Sequence, residues 1–187
     1  MPSRLPPNIR AKLEPIRLLI LDVDGVLTDG TLFYSGDGEV LKNFNARDGL
    51  GIRLLLDNGF QVAVITGRSS EAVAARCADL GLRRELVYLG SRDKDADLDA
   101  LLDRLGLADH EFAAIGDDLP DLPMLGRAGF AFCPGDAAPE VAAVCDHVTG
   151  KTGGRGTVRE AAEILLKAKG KWTALVEGWS AVERGTG

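Results

Sequence analysis

The sequence predicts a doubly wound α/β fold, a single domain built on a parallel β-sheet with helices on both faces. Three observations predict it. Short apolar runs recur at 16–21, 61–65, 86–88, 112–115 and 130–132, and longer amphipathic stretches follow most of them. Gly59, Gly81 and Gly106 each close such a stretch, where a left-handed helix C-cap belongs. The 187 residues, 45% hydrophobic and 27% charged, have the size and composition of one globular domain with a core of its own.

Taken in order, residues 1–15 mix Pro2, Pro6 and Pro7 with Arg4, Arg10 and Lys12 and lack the apolar run of a signal peptide. The first strand is 16–21. Residues 31–35 and 39–44 are strand-like and flank Gly36-Asp37-Gly38, so a β-hairpin is inserted where such a fold normally places a helix. No inserted stretch is long enough to be a cap domain. The strand at 61–65 leads through Thr66 to a helix begun by Ser69 or Ser70. After the strand at 86–88, Leu98, Leu101, Leu102 and Leu105 fall at helical spacing and give that helix one apolar face. Strands at 112–115 and 130–132 follow. Gly153-Gly154-Arg155-Gly156 precedes a helix at 157–169, and a polar stretch with Trp172 and Trp179 ends the chain. No repeat or linker divides it. One domain is expected over 1–187, its core at about 16–170 between two extensions.

Charge and cysteine usage narrow the function classes. Twenty-eight acidic residues against 22 basic ones give −6, which argues against nucleic acid as a partner. No run reaches the length of a membrane span. Cys77, Cys133 and Cys145 are odd in number, widely spaced and without a Cys-x-x-Cys, as in a reducing compartment, and His110 and His147 are too few for a zinc site. A cytoplasmic protein is expected.

Three apparent motifs fail. Gly150-Lys151-Thr152 lacks the P-loop's first glycine, since position 145 is Cys145; Gly49-Leu50-Gly51 lacks the third dinucleotide-binding glycine, since position 54 is Leu54; and no Gly-x-Ser-x-Gly exists. The informative residues cluster at predicted strand ends. Asp22 and Asp24 close the first strand, and in an extended chain residues two apart share a side, so their carboxylates converge. Aspartate also commonly ends strands, and Asp-x-Asp-Gly alone is weak. It is joined by Thr66-Gly67-Arg68, by Lys94, and by Gly116-Asp117-Asp118-Leu119-Pro120-Asp121, each beside a strand end. Crowded carboxylates call for a neutralising cation, and an oxygen-only set suits a hard divalent one.

Asp-x-Asp, Thr, Lys and Gly-Asp-Asp-x-x-Asp in that order resemble the haloacid dehalogenase superfamily of phosphohydrolases, with its Rossmann-like fold, over nearly all of 16–170. Asp22 to Gly30, Phe44-Asn45-Ala46-Arg47-Asp48-Gly49, Thr66-Gly67-Arg68 with Arg76, and Gly153-Gly154-Arg155-Gly156 resemble its capless branch, the 3-deoxy-D-manno-octulosonate 8-phosphate phosphatases. Phe132-Cys133-Pro134-Gly135 departs from that pattern, where a more acidic, alanine-rich loop is expected. The resemblance implies Asp22 as nucleophile and Asp24 as general acid and base, with Thr66 and Lys94 stabilising the transferring phosphoryl group. It implies Mg2+ on Asp22, the Asp24 carbonyl and Asp117, with Asp118 behind them and Asp121 supporting the loop. Substrate contacts are implied for Asp24, Asn45, Ala46, Arg47, Asp48, Gly49, Arg53, Arg68, Arg76 and Lys94. A homotetramer is implied too, with sites at subunit interfaces. An apolar hairpin edge at Leu32, Phe33, Val40 and Leu41 agrees with such an assembly, and a hairpin folded on its own core is the alternative.

The expected reaction is hydrolysis of a phosphorylated sugar acid in lipopolysaccharide precursor synthesis. Relatives acting on nine-carbon sugar-acid 9-phosphates are the near alternative. A phospho-accepting receiver domain is the non-enzymatic one, although there the acidic pair and the phosphorylated aspartate usually lie on different strands. A metal-dependent glycosyltransferase also uses Asp-x-Asp, but it has no need of the Thr and Lys elements. A sugar acid carries a carboxylate besides its phosphate, which an arginine fork matches. Arg68 lies near the sheet edge, and Arg76 is eight residues on, roughly 12 Å of helix rise. Arg76 therefore grips another part of the ligand, serves a neighbouring subunit, or simply pairs with Asp79.

Overall fold

The structure is a computed structural model that describes residues 6–36 and 38–182, with the side chains of residues 39, 40, 181 and 182 left out of that description. Asp37 of the hairpin turn and the Val40 side chain thus lie outside the described residues. After helix α1 (Pro7–Leu13), strand β1 (Leu18–Leu21) is followed by a hairpin of β2 (Phe33–Ser35) and β3 (Gly38–Leu41). The chain continues through α2 (Ala46–Asp57), β4 (Gln61–Thr66), α3 (Glu71–Asp79), β5 (Val87–Leu89) and α4 (Lys94–Leu105). It ends with β6 (Phe112–Ile115), α5 (Leu122–Arg127), β7 (Phe130–Cys133), α6 (Pro139–Ala142), β8 (His147–Val148), α7 (Thr157–Ala168) and α8 (Trp172–Val182).

Among the described residues six strands form one parallel sheet in the order β5-β4-β1-β6-β7-β8. The chain winds outward from β1 to β5 on one side and from β6 to β8 on the other. The order therefore reverses beside β1, where open α/β sheets form their ligand crevice. Register makes the crevice level: Leu21, the last residue of β1, pairs with Val64 of β4 and with Ile115 of β6. The loops after three neighbouring strands leave the sheet together.

The period-two alternation of β1 divides the core. Leu18 and Ile20 pack with Leu98, Leu101 and Leu102 of α4 and with Met124 and Leu125 of α5. Leu19 and Leu21 pack on the other face with Ile52 and Leu55 of α2 and with Val158, Ala161 and Leu165 of α7. Each of the Leu, Ile, Val and Met side chains among them, where fully buried, contributes about 1.5–3 kcal/mol. The expected leucine face of α4 is the buried one, and Gly59, Gly81 and Gly106 all take positive φ, at +85°, +83° and +63°.

Four elements differ from the sequence expectation. The 172–180 region is helix α8, not a polar extension: its first residue, Trp172, lies under the Arg159 guanidinium at 5.3 Å and the Lys167 ammonium at 5.4 Å. Helix α1 opens with Pro7 at its first position, where a missing N–H costs nothing. Strand β8 has two residues, too few for any periodicity to show, and it follows the β7 edge from Phe132↔His147. The hairpin is present but shorter than the expected 31–35 and 39–44.

Two contacts lock α7 beneath the end of β1. Gly153 and Gly154 pass so close to the 25–29 backbone that a Cβ on Gly153 would lie 1.9 Å from the Gly25 carbonyl, and Gly154 N–H donates to Val26 O at 2.9 Å. Asp48 of α2, 1% exposed, accepts from Gly156 N–H (3.0 Å) and Arg159 N–H (2.9 Å) and so caps α7. Its burial raises its pKa, against the effect of those donors. Asp48→Ala would leave two buried N–H groups without their acceptor and should cost about 1–3 kcal/mol in urea unfolding. A variant as stable as the parent would show that the cap carries no load.

Candidate active site

The site grows from the end of β1. Asp22 extends the ladder by one bond, its N–H donating to Ile115 O at 3.1 Å, and the chain then leaves the sheet. Val26, Leu27 and Thr28 all donate to Val23 O (3.2, 2.9 and 3.0 Å), so Asp24 is carried by a tight turn and not by the extended strand expected from sequence. The turn nevertheless returns Asp24 to the same cavity as Asp22. Gly25 permits it: φ is +86°, and a Cβ there would lie 2.0 Å from the Asp117 carboxylate.

Lys94, the first residue of α4, sends its ammonium to Asp22 Oδ1 and Asp121 Oδ1, both at 2.6 Å. The start of α4 is fixed by Asp93, whose carboxylate accepts from Asp95 and Ala96 N–H. Buried Asp121 accepts on its other oxygen from Asp117 N–H (3.0 Å) and Asp118 N–H (3.4 Å), which ties the loop after β6 into a closed turn. Thr66 ends β4 beside them, buried. A cavity of about 350 Å³ opens over Asp22, Asp24, Thr66, Lys94, Asp117, Asp118 and Asp121, with Gly30, Leu32, Gly67, Arg68 and Pro120 completing its wall.

Charge dominates this cavity. Burial, and after it the neighbouring Asp121, push the Asp22 carboxyl up to about 7 against the opposing effect of Lys94. Burial, then Asp121 and Asp118, push Asp117 up to about 7 as well. Burial works against the Lys94 charge, but Asp22 and Asp121 outweigh it and hold the ammonium above its ordinary pKa. Carboxylate oxygens of Asp22, Asp117 and Asp121 lie within 4.8 Å of one another. Lys94 and two backbone N–H groups already occupy Asp121, so Asp22 and Asp117 are the pair left facing a cation. An all-oxygen set carrying excess negative charge fits a hard divalent ion, which would favour the ionised form of both.

Asp24 is held differently. Lys42 Nζ lies 2.5 Å from its Oδ1, and Arg68 Nε lies 3.5 Å from its Oδ2. Arg68 Nη1 also donates to Tyr34 Oη at 3.1 Å. Lys42 and Tyr34 belong to the hairpin and its exit, and sequence reasoning missed both. Neither lies in a motif or a periodic pattern; only the fold brings residue 42 back to residue 24.

The remaining expected substrate residues lie outside this cavity. Asn45 caps α2, accepting from Arg47 N–H at 2.8 Å and donating to Gly154 O at 3.3 Å. Ala46 follows it, exposed, and the Asp48 carboxylate is in the α2–α7 interface. Arg47 borders a separate cavity of about 370 Å³ with Lys151, Arg155 and Arg159. Arg53 and Arg76 gather on the α2–α3 surface, with buried Gly49 beneath Arg76. The Arg76 guanidinium lies so close over Gly49 that a Cβ there would be 2.3 Å from Nη2. Arg76 also pairs with Asp79 at 2.8 Å, whose carbonyl accepts from Arg53 at 3.2 Å. No helix among the described residues is long and apolar enough to cross a membrane.

Comparison with known proteins bears on this site. The haloacid dehalogenase-like hydrolase family matches residues 85–160. The 3-deoxy-D-manno-octulosonate 8-phosphate phosphatase of Salmonella typhimurium is 46% identical over 165 residues, 88% of this chain and 87% of that one. The Haemophilus influenzae protein of that name is 44% identical over 87% of this chain and 89% of its own. Among solved structures, the Moraxella catarrhalis phosphatase in complex with magnesium, phosphate and KDO superposes with a TM-score of 0.87 at 40% identity, covering 92% of this chain and 98% of that one. The cobalt-bound Haemophilus influenzae phosphatase gives 0.83 at 44% identity, covering 86% and 93%.

The raised carboxyls predict a pH signature in metal-free protein. With folded values near 7 against an ordinary 3.8, Asp22 and Asp117 stabilise the fold fully below about pH 4, and that contribution is lost as pH rises through 7. In chelator, the melting temperature of Asp117→Asn should therefore fall less than wild type between pH 5 and 8. Mg2+ should raise the wild-type value more at pH 8 than at pH 5. Parallel curves for the two proteins would contradict this electrostatic account.

Proposed function

Because the chain belongs to the 3-deoxy-D-manno-octulosonate 8-phosphate phosphatases, haloacid dehalogenase-like hydrolases, we propose that it hydrolyses that sugar-acid phosphate with Mg2+ through an aspartyl-phosphate. The observation that carries this reading is the Asp22 carboxylate at the end of the central strand, gripped by Lys94 with Asp24 and Asp117 on the same cavity. Asp22, the Asp24 carbonyl and Asp117 would hold the cation, which when bound screens the negative charge of nucleophile and phosphate. An Asp22 oxygen attacks phosphorus as the bond to the sugar oxygen breaks, and Asp24 gives that oxygen its proton. Water then attacks phosphorus, Asp24 takes its proton, and the Asp22–phosphorus bond breaks to release phosphate. Thr66 and Lys94 donate to the phosphoryl oxygens throughout. Asp118 stands behind the metal pair.

Specificity follows from charges the phosphate does not use. Arg68, which lines the cavity wall, would meet the sugar-acid carboxylate. The cluster of Gly49, Arg53 and Arg76, with Asn45 to Asp48 alongside, lies away from its own cavity, and it completes the site of a neighbour in a homotetramer. Exposed Phe33, Tyr34 and Leu41 on the hairpin supply the contact surface. One domain thus carries the whole reaction, with its cap replaced by other subunits. The enzyme works in the cytoplasm, where it releases the free sugar acid for lipopolysaccharide precursor synthesis.

Asp22→Asn should abolish phosphate release and leave no phosphoenzyme, with deamidation excluded by mass spectrometry. Arg68→Ala should impair hydrolysis of 3-deoxy-D-manno-octulosonate 8-phosphate at least tenfold more than that of a small phosphate ester without a carboxylate, reflecting about 1.4 kcal/mol or more. Equal losses would assign Arg68 to phosphate binding. Glutamate at Phe33 or Leu41 should lower the mass seen by light scattering together with sugar-phosphate turnover; a fully active wild-type monomer would contradict the tetramer.

A further inference from the structure

The residue that controls the acid–base group is Lys42, a position to which the reaction scheme assigns nothing. Its side chain is 1% exposed, although it sits at the exit of a surface hairpin. Burying a lysine stem and its ammonium is costly unless the charge is paired, and Asp24 Oδ1 at 2.5 Å is one such partner. The backbone that delivers it is pinned on the C-terminal side. Asn43 donates to Asp29 Oδ2 at 2.9 Å and Asn45 to Gly154 O at 3.3 Å, while Arg155 also donates to Asp29 at 3.2 Å. These ties join the hairpin exit to the turn that carries Asp24 and to the glycine loop beneath it. The ammonium therefore comes from a fixed frame.

Asp24 needs such a constraint. It stands on a turn with Gly25 next to it, on the cavity it shares with Asp22, Lys94 and Asp117. A carboxylate that gives a proton to a leaving oxygen and then takes one from water must keep the same oxygen facing phosphorus through both steps. Lys42 holds Oδ1 on the hairpin side, and the other oxygen has the looser contact to Arg68 at 3.5 Å. We propose that Lys42 is the positioning residue of this site, fixing the Asp24 carboxylate so that Oδ2 serves the leaving oxygen and then the water. The inference rests on the acid–base role of Asp24 given above. It makes the hairpin a part of the catalytic apparatus of its own subunit.

The test is a double-mutant cycle, with turnover of 3-deoxy-D-manno-octulosonate 8-phosphate measured for Lys42→Met, Asp24→Asn and the double variant of the full-length chain. Lys42→Met should lower kcat about 10²-fold, at the lower end of what acid–base catalysis supplies, with KM changed less than about threefold. Lys42→Arg, which keeps a cation, should recover most of the loss. In the Asp24→Asn background the same Lys42→Met change should cost less than about threefold, because a residue acting through Asp24 has nothing left to act on. The same factor in both backgrounds would overturn the inference and make Lys42 structural or substrate-binding. So would full activity of Lys42→Met beside an impaired Asp24→Asn. A fully active Asp24→Asn would overturn the acid–base reading itself, and Lys42 with it. If Lys42→Met melts below the assay temperature, Lys42→Gln, neutral but able to donate, takes its place, with a smaller kcat loss expected in the wild-type background and none in the Asp24→Asn background.

Discussion

Five aspartates meet at the end of one buried strand, and much of the local structure is arranged around the repulsion between them. Lys94 bonds to two, Lys42 and Arg68 face a third, and backbone N–H groups take up the second oxygen of Asp121. The excess negative charge that remains attracts a divalent cation, which would in turn offset the repulsion an anionic phosphate ester meets there. Concentrating it in a largely buried cavity raises the free energy of the empty site and makes cation binding correspondingly favourable. Catalytic competence and local instability thus have one origin.

That arrangement demands backbone approaches a side chain would forbid. Gly25 lets the turn lie against Asp117, Gly116 lets the next loop close over Asp121, and Gly153 lets the α7 loop support the turn from below. A Cβ on Gly116 would be 2.4 Å from that of Asp121. The glycines beside the acidic motifs are steric necessities of packing three loops against one strand end. Their presence also explains why the far-off 153–156 segment reads as part of the same signature.

The sheet and most of the site were legible in the sequence for separate reasons. Buried parallel strands leave uninterrupted apolar runs, and α4 repeats leucine on one face, so local patterns suffice there. Asp22, Thr66, Lys94 and Asp117 stand next to those strands and inherit their legibility. Asp24 shares the cavity with Asp22 for a cause other than the expected one, since a turn and not strand alternation aims it. Strand β8 and helix α1 were too short or too exposed to show a period. Lys42 and Tyr34 were invisible because their partners are 18 and 34 residues away, beyond the reach of any local periodicity.

The hairpin links these threads. A phosphatase of this fold needs something over the open edge of its sheet, to exclude water and to recognise the rest of the substrate. Here the hairpin reaches back to the site from its own base, through Lys42 and through Tyr34 on Arg68, while Phe33, Tyr34 and Leu41 remain exposed on its strands. The same element therefore has a catalytic end and an apolar outer surface. If other subunits cover that surface, as the misplaced arginine cluster of α2 and α3 also supports, assembly would steady the frame that holds Asp24. Oligomerisation and acid–base catalysis would then be coupled through a few residues of one hairpin.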